Sequence, residues 1–322
     1  MTIDNFEATF ADLVDGKIKG DQAIEFLLQV NKDGYSKEVF AAAIKTLKAR
    51  MKKVNVGDKV IDICGTGGDK LGTLNVSTAS CFVLAACGVK IAKHGNKAIS
   101  SSSGSADIFN QLGVLVNDNE DDILASIKNH NLSFLFAPLF HASLKNIAEL
   151  RMRIAKEYGQ VTIFNYLGPL LNPANTKKQL IGVSRKDVMQ PMAQALAQDP
   201  EITAYIVHGF DGMDEITICD KSYLVEVRDG IVLPEQIIDP ADYGFAICEL
   251  SQIKGRDPKY NCQQLLSLLS GEQSAYGDIV ILNCAFALKL AGKVQNITDG
   301  IKIANAAIVN GSALELLNGM RS

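Results

Sequence analysis

Apolar residues fall at helical spacing from the start of the chain. Phe6, Phe10 and Leu13 share one face, and nothing in residues 1 to 53 alternates as a strand would. Ser36 is placed to cap a further helix whose far end carries Lys48, Arg50, Lys52 and Lys53, where cations suit a helix C-terminus. The period changes at VIDICGTGGD: a β-branched run from Val60 to Cys64 stops at a glycine-rich turn, and the helical stretch STASCFVLAACG follows. The pattern then repeats, with a short strand at VKIAK, a helix capped by Ser105 and closed near Gly113, and strands at LSFLFAP, LIGV and AYIVHG. Strands alternating with helices predict an α/β fold whose mostly parallel central sheet is flanked by helices on both faces. After Asp214 the texture shifts, because ITICDKSYLVEVRDGIVL alternates around Asp229 and Gly230, which predicts an antiparallel hairpin at the sheet edge. Helices such as DIVILNCAFALKLAG close the chain. The pattern therefore divides into a smaller all-helical N-terminal domain, residues 1–56, and an α/β domain, residues 57–322.

With 322 residues, 47% of them hydrophobic, the chain can bury a large core. Its net charge of -4 and pI near 5.7 argue against a protein that grips nucleic acid over a broad basic surface, so any anion site is local. Seven cysteines between Cys64 and Cys284, none in a C-x-x-C pair, make neither a disulfide framework nor a zinc site and fit a reducing cytosol. The start, MTIDNFEATFADLVDG, is acidic and periodic, unlike a signal peptide, and no apolar run reaches the ~20 residues that span a bilayer. The expectation is a soluble cytoplasmic protein with neither nucleic acid nor membrane as partner.

Three segments carry chemistry. In GTGGDKLGTLNVST, Gly65 to Thr78, glycines let backbone amides approach an anion, and the helix that follows offers free N–H groups at its positive end. The glycine spacing matches neither the dinucleotide fingerprint nor the Walker pattern. Asp69 within this loop suits ribose hydroxyls or a metal. KHGNKAISSSSGSAD, Lys93 to Asp107, also follows a strand; Lys93 supplies charge, and the serine hydroxyls supply hydrogen bonds to phosphate. The adjacent acids Asp214 and Glu215 in VHGFDGMDEITI are hard oxygen ligands for Mg²⁺.

Taken in order, GTGGD, NVST, KHGNK, SGSAD, FLFAPLFH, TIFNYLGPLLNP and VHGFDGMDEI closely resemble the signature of the anthranilate phosphoribosyltransferase family, and GRDPKYN and ILNCAFAL extend the likeness towards the C-terminus. The resemblance implies transfer of the 5-phosphoribosyl group from phosphoribosyl pyrophosphate (PRPP) to the amine of anthranilate in tryptophan biosynthesis. It also implies Mg²⁺ as cofactor and a homodimer formed through a helical domain that helices from about 138–172 join. By motif position it assigns Gly65, Gly68, Asp69, Thr73, Asn75, Val76, Ser77, Thr78, Lys93, His94, Gly95, Asn96, Lys97, Ser100, Ser101 and Ser105 to PRPP. Ser77, Asp214 and Glu215 are assigned to the metal, and Gly65, His94, Asn96 and Arg151 to anthranilate. His94 shapes the acceptor pocket on this reading, and no covalent nucleophile is required. The likeness departs at Val161, where the family usually has Arg, and at Ser102, where many members have Lys. It departs again in about four extra residues, roughly one helical turn, between Arg151 and Thr162. Two alternatives share the architecture: a pyrimidine nucleoside phosphorylase-like enzyme, and a non-catalytic nucleic-acid-binding relative.

Overall fold

The computed structural model describes residues 2–57, 59–97, 103–116 and 119–321. Three helices open the chain: α1 (Ile3–Val14), α2 (Gly20–Asp33) and α3 (Lys37–Lys48). The side chains of Thr2 and Ser36 accept from the backbone N–H of Asn5 and Val39, which fixes where α1 and α3 begin. Of the cations expected at the far end of α3, Lys48 lies in its last turn together with Lys45, whereas Arg50, Lys52 and Lys53 follow the helix.

The body runs β1 (Val60–Gly65), α4 (Val76–Ala86), β2 (Lys90–Gly95), α5 (Ser105–Gln111), α6 (Glu120–His130) and β3 (Leu132–Phe136). Next, α7 (Ala137–Phe140), α8 (Lys145–Tyr158) and α9 (Phe164–Leu167) lead to β4 (Lys178–Gly182), α10 (Met189–Leu196) and β5 (Thr203–Gly209). Strands β6 (Ser222–Arg228), β7 (Ile231–Val232) and β8 (Gln236–Ile238) follow, then helices α11 (Pro258–Leu269), α12 (Ala275–Ala291), α13 (Ile297–Val309) and α14 (Ser312–Met320). Strands β1 to β5 are parallel in the order 3-2-1-4-5; β6 lies antiparallel to β5, and both β7 and β8 pair with β6.

Side chains alternate across the sheet, so each strand serves two layers. Tyr205 and Val207 of β5 face the core built with α4 and α11 to α14, whereas Ala204 and Ile206 face a second core shared with α10 and the N-terminal helices. Ile147, Leu150 and Ile154 of α8 and Phe164 of α9 belong to that second core. Phe10 stacks on Phe6 at 5.2 Å between ring centroids and on Phe164 at 5.1 Å, tying the first helix to a much later segment. Burying each ring contributes roughly 1.5–3 kcal/mol, against roughly 0.5–1.5 kcal/mol for a stacked pair. Burial therefore seats the N-terminal helices, and stacking sets the angle.

Two sequence expectations change in the fold. The edge hairpin forms, with Asp229 (φ 52°) and Gly230 (φ 74°) both left-handed as a primed turn requires, but it begins only at Ser222. ITIC is a buried loop: the N–H of Ile216 donates to Asn283 Oδ1, that of Thr217 to Ser222 Oγ and that of Cys219 to Thr217 Oγ1, so side chains take the bonds a strand partner would have taken. Helix α5 is capped by Gly104, not Ser105. The Gly104 N–H donates to the Asp107 carboxylate at 2.9 Å, which leaves the Ser105 hydroxyl to donate to the carbonyl of Asn96. No helix among the described residues is long and apolar enough to cross a membrane.

Candidate functional site

The strand order reverses between β1 and β4, and in open α/β sheets ligands gather at the C-terminal strand ends beside such a reversal. Gly65 and Gly182 are register partners there. A Cβ on Gly182 would stand 1.6 Å from the carbonyl oxygen of Asp214, and one on Gly65 would stand 2.3 Å from Asp214 Oδ2. Two bare strand ends thus let the acidic loop after β5 lie flat across the sheet. Asp214 Oδ2 accepts the N–H of Gly67 at 2.6 Å, and Glu215 Oε1 accepts the N–H of Ser77 in the first turn of α4 at 3.3 Å. Helix α4 has no side-chain cap at Asn75, and its start draws an acid instead, with Glu215 on the Ser77 N–H, as the positive end of a helix favours. Gly67 (φ 67°) and Gly68 (φ 81°) bend the loop in a conformation that side chains rarely adopt, and Lys70 shares it (φ 62°).

The acids gathered here are unlike surface acids. Burial raises the Asp214 carboxyl well above its ordinary value, and the charge of Asp69 raises it further. Asp69 is raised by its own burial. Glu215 is pushed up to about 8, first by burial and then by Asp214, with Lys93 opposing. Three carboxyls that resist sharing negative charge, beside a Ser77 hydroxyl, form an oxygen donor set that fits Mg²⁺ chemically. They are not yet arranged around an ion: among the described residues no three His, Cys, Asp or Glu side chains are spaced to hold one.

Lys93 of β2 lies beneath this platform, only 1% exposed, with Nζ donating to the carbonyl of Ile63 at 2.8 Å and to Ser77 Oγ at 3.3 Å. It lies behind the Ser77 hydroxyl and is closed off from solvent. Val76 and Thr78 are buried as well, so their side chains serve the core and their backbone serves the loop. Thr73 bridges to Lys254, and the Asn75 side chain donates to the carbonyl of Ser103. Gly95 ends β2 under Ser105, whose Oγ would lie 2.1 Å from a Cβ at that position. Asn96 and Lys97 are exposed beyond it. Ser100, Ser101 and Ser102 lie outside the described residues.

The other wall is neutral. His94 Nδ1 bonds to the carbonyl of Gly168 at 3.2 Å, its N–H donates to Asp62 Oδ1, and its ring centroid lies 5.1 Å from that of His141. Burial lowers His94 to about 3 and His141 to about 4, so both are uncharged at neutral pH. Each presents a buried Nε2 with no partner among the described residues. The Gly168 carbonyl at His94 Nδ1 implies that its Nε2 carries the lone pair, a tautomer inferred from the network. Arg151 of α8 is half-buried, burial opposes its charge, and it has no ion pair or hydrogen bond among the described residues. Its neighbour Arg153 is occupied by Glu157 and Asp21. The departure at Val161 is held from the N-terminal helices, because Asn31 Nδ2 donates to the Val161 carbonyl at 2.7 Å.

A family described as "Glycosyl transferase family, a/b domain" matches residues 57–314. An anthranilate phosphoribosyltransferase from Thermoanaerobacter sp. (strain X514) is 42% identical over 292 residues, 90% of this chain and 85% of the relative. The chain belongs to the anthranilate phosphoribosyltransferase family. Membership favours the transferase over the phosphorylase-like and nucleic-acid-binding alternatives. The crystal structure of the anthranilate phosphoribosyltransferase from Thermus thermophilus superposes with a TM-score of 0.90 at 31% identity, covering 99% of this chain and 94% of that one. The Saccharomyces cerevisiae enzyme in complex with PRPP and Mg gives 0.88 at 29% identity over 99% and 92%.

Several residues that shape the site carry no local signal. Gly182 reads as strand in LIGV, and only its pairing with Gly65 reveals its role. Asp62 and Asn172 brace His94 from behind, Asn172 Nδ2 donating to Asp62 Oδ2 at 2.7 Å and to the Ala92 carbonyl at 2.7 Å. His141 stands in FLFAPLFH, and its pairing with His94 is a contact across the fold.

Proposed function

We propose that the cleft at the strand reversal transfers the 5-phosphoribosyl group of PRPP to the amine of anthranilate, giving N-(5-phosphoribosyl)anthranilate and pyrophosphate. The observation that carries this is the acid platform seated on Gly65 and Gly182 at the end of β1, with His94, whose buried Nε2 has no partner among the described residues, at the end of the adjacent strand β2. The glycine loop, with Gly65, Gly68, Asp69, Thr73, Asn75 and the first turn of α4 from Val76 to Thr78, receives the pyrophosphate and ribose. Gly95, Asn96, Lys97 and Ser105 close over the phosphate. Ser77, Asp214 and Glu215 hold Mg²⁺, which supplies positive charge to the departing pyrophosphate. Lys93 acts from behind, fixing the Ser77 hydroxyl and offsetting the negative charge of the platform.

On the acceptor side the planar fork of Arg151 suits a carboxylate bidentately. The Nε2 lone pair of His94 suits an amine N–H group, orienting the nitrogen lone pair towards the anomeric carbon, and Asn96 and Gly65 complete the pocket. An aromatic amine is unprotonated at neutral pH, so no base has to deprotonate it before attack. Charge stabilisation and orientation supply the rate, with no nucleophile of the protein's own. The exposed Ile3 of α1, Met152 and Tyr158 of α8 and Val161 in the loop after α8 suit a homodimer through that unit, which light scattering tests. The activity is tested by loss of anthranilate fluorescence with PRPP and Mg²⁺, matched by pyrophosphate release and abolished by EDTA. A folded protein that binds PRPP without consuming anthranilate would mean the acceptor is assigned wrongly.

A further inference from the structure

Asn75 sits where the glycine loop enters α4, and its amide is the middle of a buried chain of hydrogen bonds. Asn261 Nδ2 donates to Asn75 Oδ1 at 3.0 Å, Asn75 Nδ2 donates to the Ser103 carbonyl at 3.1 Å, and Asn261 Oδ1 accepts the backbone N–H of Arg256 at 2.7 Å. The Tyr276 hydroxyl donates to the Asn75 carbonyl at 3.0 Å, fixing the backbone of the same residue from another side. Asn261, 2% exposed, lies in the first turn of α11. The segment before it runs along the loop's exit: the N–H of Leu74 donates to the Ile253 carbonyl at 2.9 Å and that of Gly255 to the Gly72 carbonyl at 2.8 Å. A Cβ on Gly255 would stand 2.6 Å from the Thr73 carbonyl oxygen and 3.0 Å from Asn261 Nδ2, so only a glycine lets the two backbones meet this closely.

This chain has a direction. A side-chain amide has an accepting end and a donating end, and its neighbours decide which points where. The Arg256 N–H can only donate, so it takes the Asn261 oxygen. The Asn261 NH₂ is then left for Asn75, which must answer with its own oxygen. Asn75 consequently turns its NH₂ outward: one proton goes to Ser103, and the second has no acceptor among the described residues. A donor held at the mouth of an amide-lined loop suits an oxyanion, and the reversed amide would repel one.

We infer that Asn261 is a positioning residue for the pyrophosphate of PRPP, fixing the Asn75 amide so that the loop offers that oxyanion a donor. The inference rests on the transferase reading, and it predicts a defect confined to one substrate. Asn261→Asp keeps the acceptor for Arg256 and replaces the donor facing Asn75 with an acceptor, which favours the flipped Asn75 amide. The KM for PRPP should rise roughly ten- to a hundredfold, the cost of a misdirected charge-assisted hydrogen bond. PRPP affinity by calorimetry should fall in parallel, while the KM for anthranilate changes by less than about twofold on the same logic. Asn261→Ala, which lets Asn75 turn freely, should lie between wild type and Asn261→Asp.

The added charge is controlled in an Asn75→Ala background, where there is no amide to turn. There Asn261→Asp should cost less than about threefold, whereas a purely electrostatic or structural effect would be equal in both backgrounds. Equal losses in the two backgrounds, a larger defect in Asn261→Ala than in Asn261→Asp, or an unchanged PRPP affinity would each overturn the inference. A wild-type chain without PRPP affinity would overturn the transferase reading, and this inference with it.

Discussion

The two walls of the cleft are built by opposite means. The donor wall is made largely by backbone: left-handed glycines, a helix start with no side-chain cap of its own and two strand ends without side chains, across which the acid loop lies. The wall proposed for the acceptor is made by side chains whose polar atoms lack partners among the described residues, namely His94 Nε2, His141 Nε2 and the Arg151 guanidinium. Carboxyls whose negative charge is disfavoured gather on the first wall, and unused hydrogen-bonding capacity on the second. A buried group with no partner costs stability in the free protein and is satisfied only when a complementary ligand arrives. On the proposed reading the first wall serves the metal and PRPP and the second serves anthranilate, so damage to one should leave binding at the other intact.

The largest separation of the walls is expected from Gly182→Ala. The added methyl would have to displace the Asp214 carbonyl, moving the metal platform by about 1 Å and costing roughly a hundredfold in turnover. Anthranilate binding, followed by fluorescence, should persist. Turnover at the wild-type rate would show that the acid loop does not need its place on the sheet.

Arg151→Ala probes the opposite wall with a smaller effect, roughly a tenfold rise in the KM for anthranilate with kcat and the KM for PRPP nearly unchanged. Arg153→Ala removes only exposed ion pairs and should shift stability by less than about 0.5 kcal/mol with no kinetic change. If Arg153 rather than Arg151 controls the anthranilate KM, the carboxylate site has been placed on the wrong face of α8.

The smallest effect is on stability against pH. His94 and His141 titrate in the folded chain at about 3 and 4, below their ordinary value of 6.5. The unfolded chain therefore binds their protons first, and stability present above pH 6.5 is lost as pH falls towards 4. Asp62, raised to about 6 chiefly by burial, works in the opposite sense over part of this range. The informative comparison is thus between wild type and His141→Asn: thermal melts should show a shallower loss of stability from pH 6.5 to 4 in the variant. An identical slope would show that the imidazole is not held neutral by its surroundings.

The donor wall was largely legible in the sequence, because its makers are contiguous. The change from a β-branched run to glycines to a helix marks GTGGD by itself, and Asp214 with Glu215 is an adjacent pair. What was not legible depends on pairing across the fold. Lys93 looks like a charge for the cleft until its strand is placed under Ser77. The alternation of ITIC suggests a strand until Asn283 and Ser222 are seen to take its N–H groups. Arg151 was assigned through the family pattern alone, while the contact of His141 with His94 emerged only in three dimensions.

The platform itself is tested most directly by calorimetry of PRPP binding with and without Mg²⁺, in wild type and in Asp214→Asn with Glu215→Gln. Mg²⁺ should tighten PRPP binding to wild type and have no such effect on the double variant, which should stay folded, melt higher without metal because two strained buried carboxyls are gone, and still bind anthranilate. The same Mg²⁺-dependent tightening in the double variant would contradict the assignment of the metal to these acids.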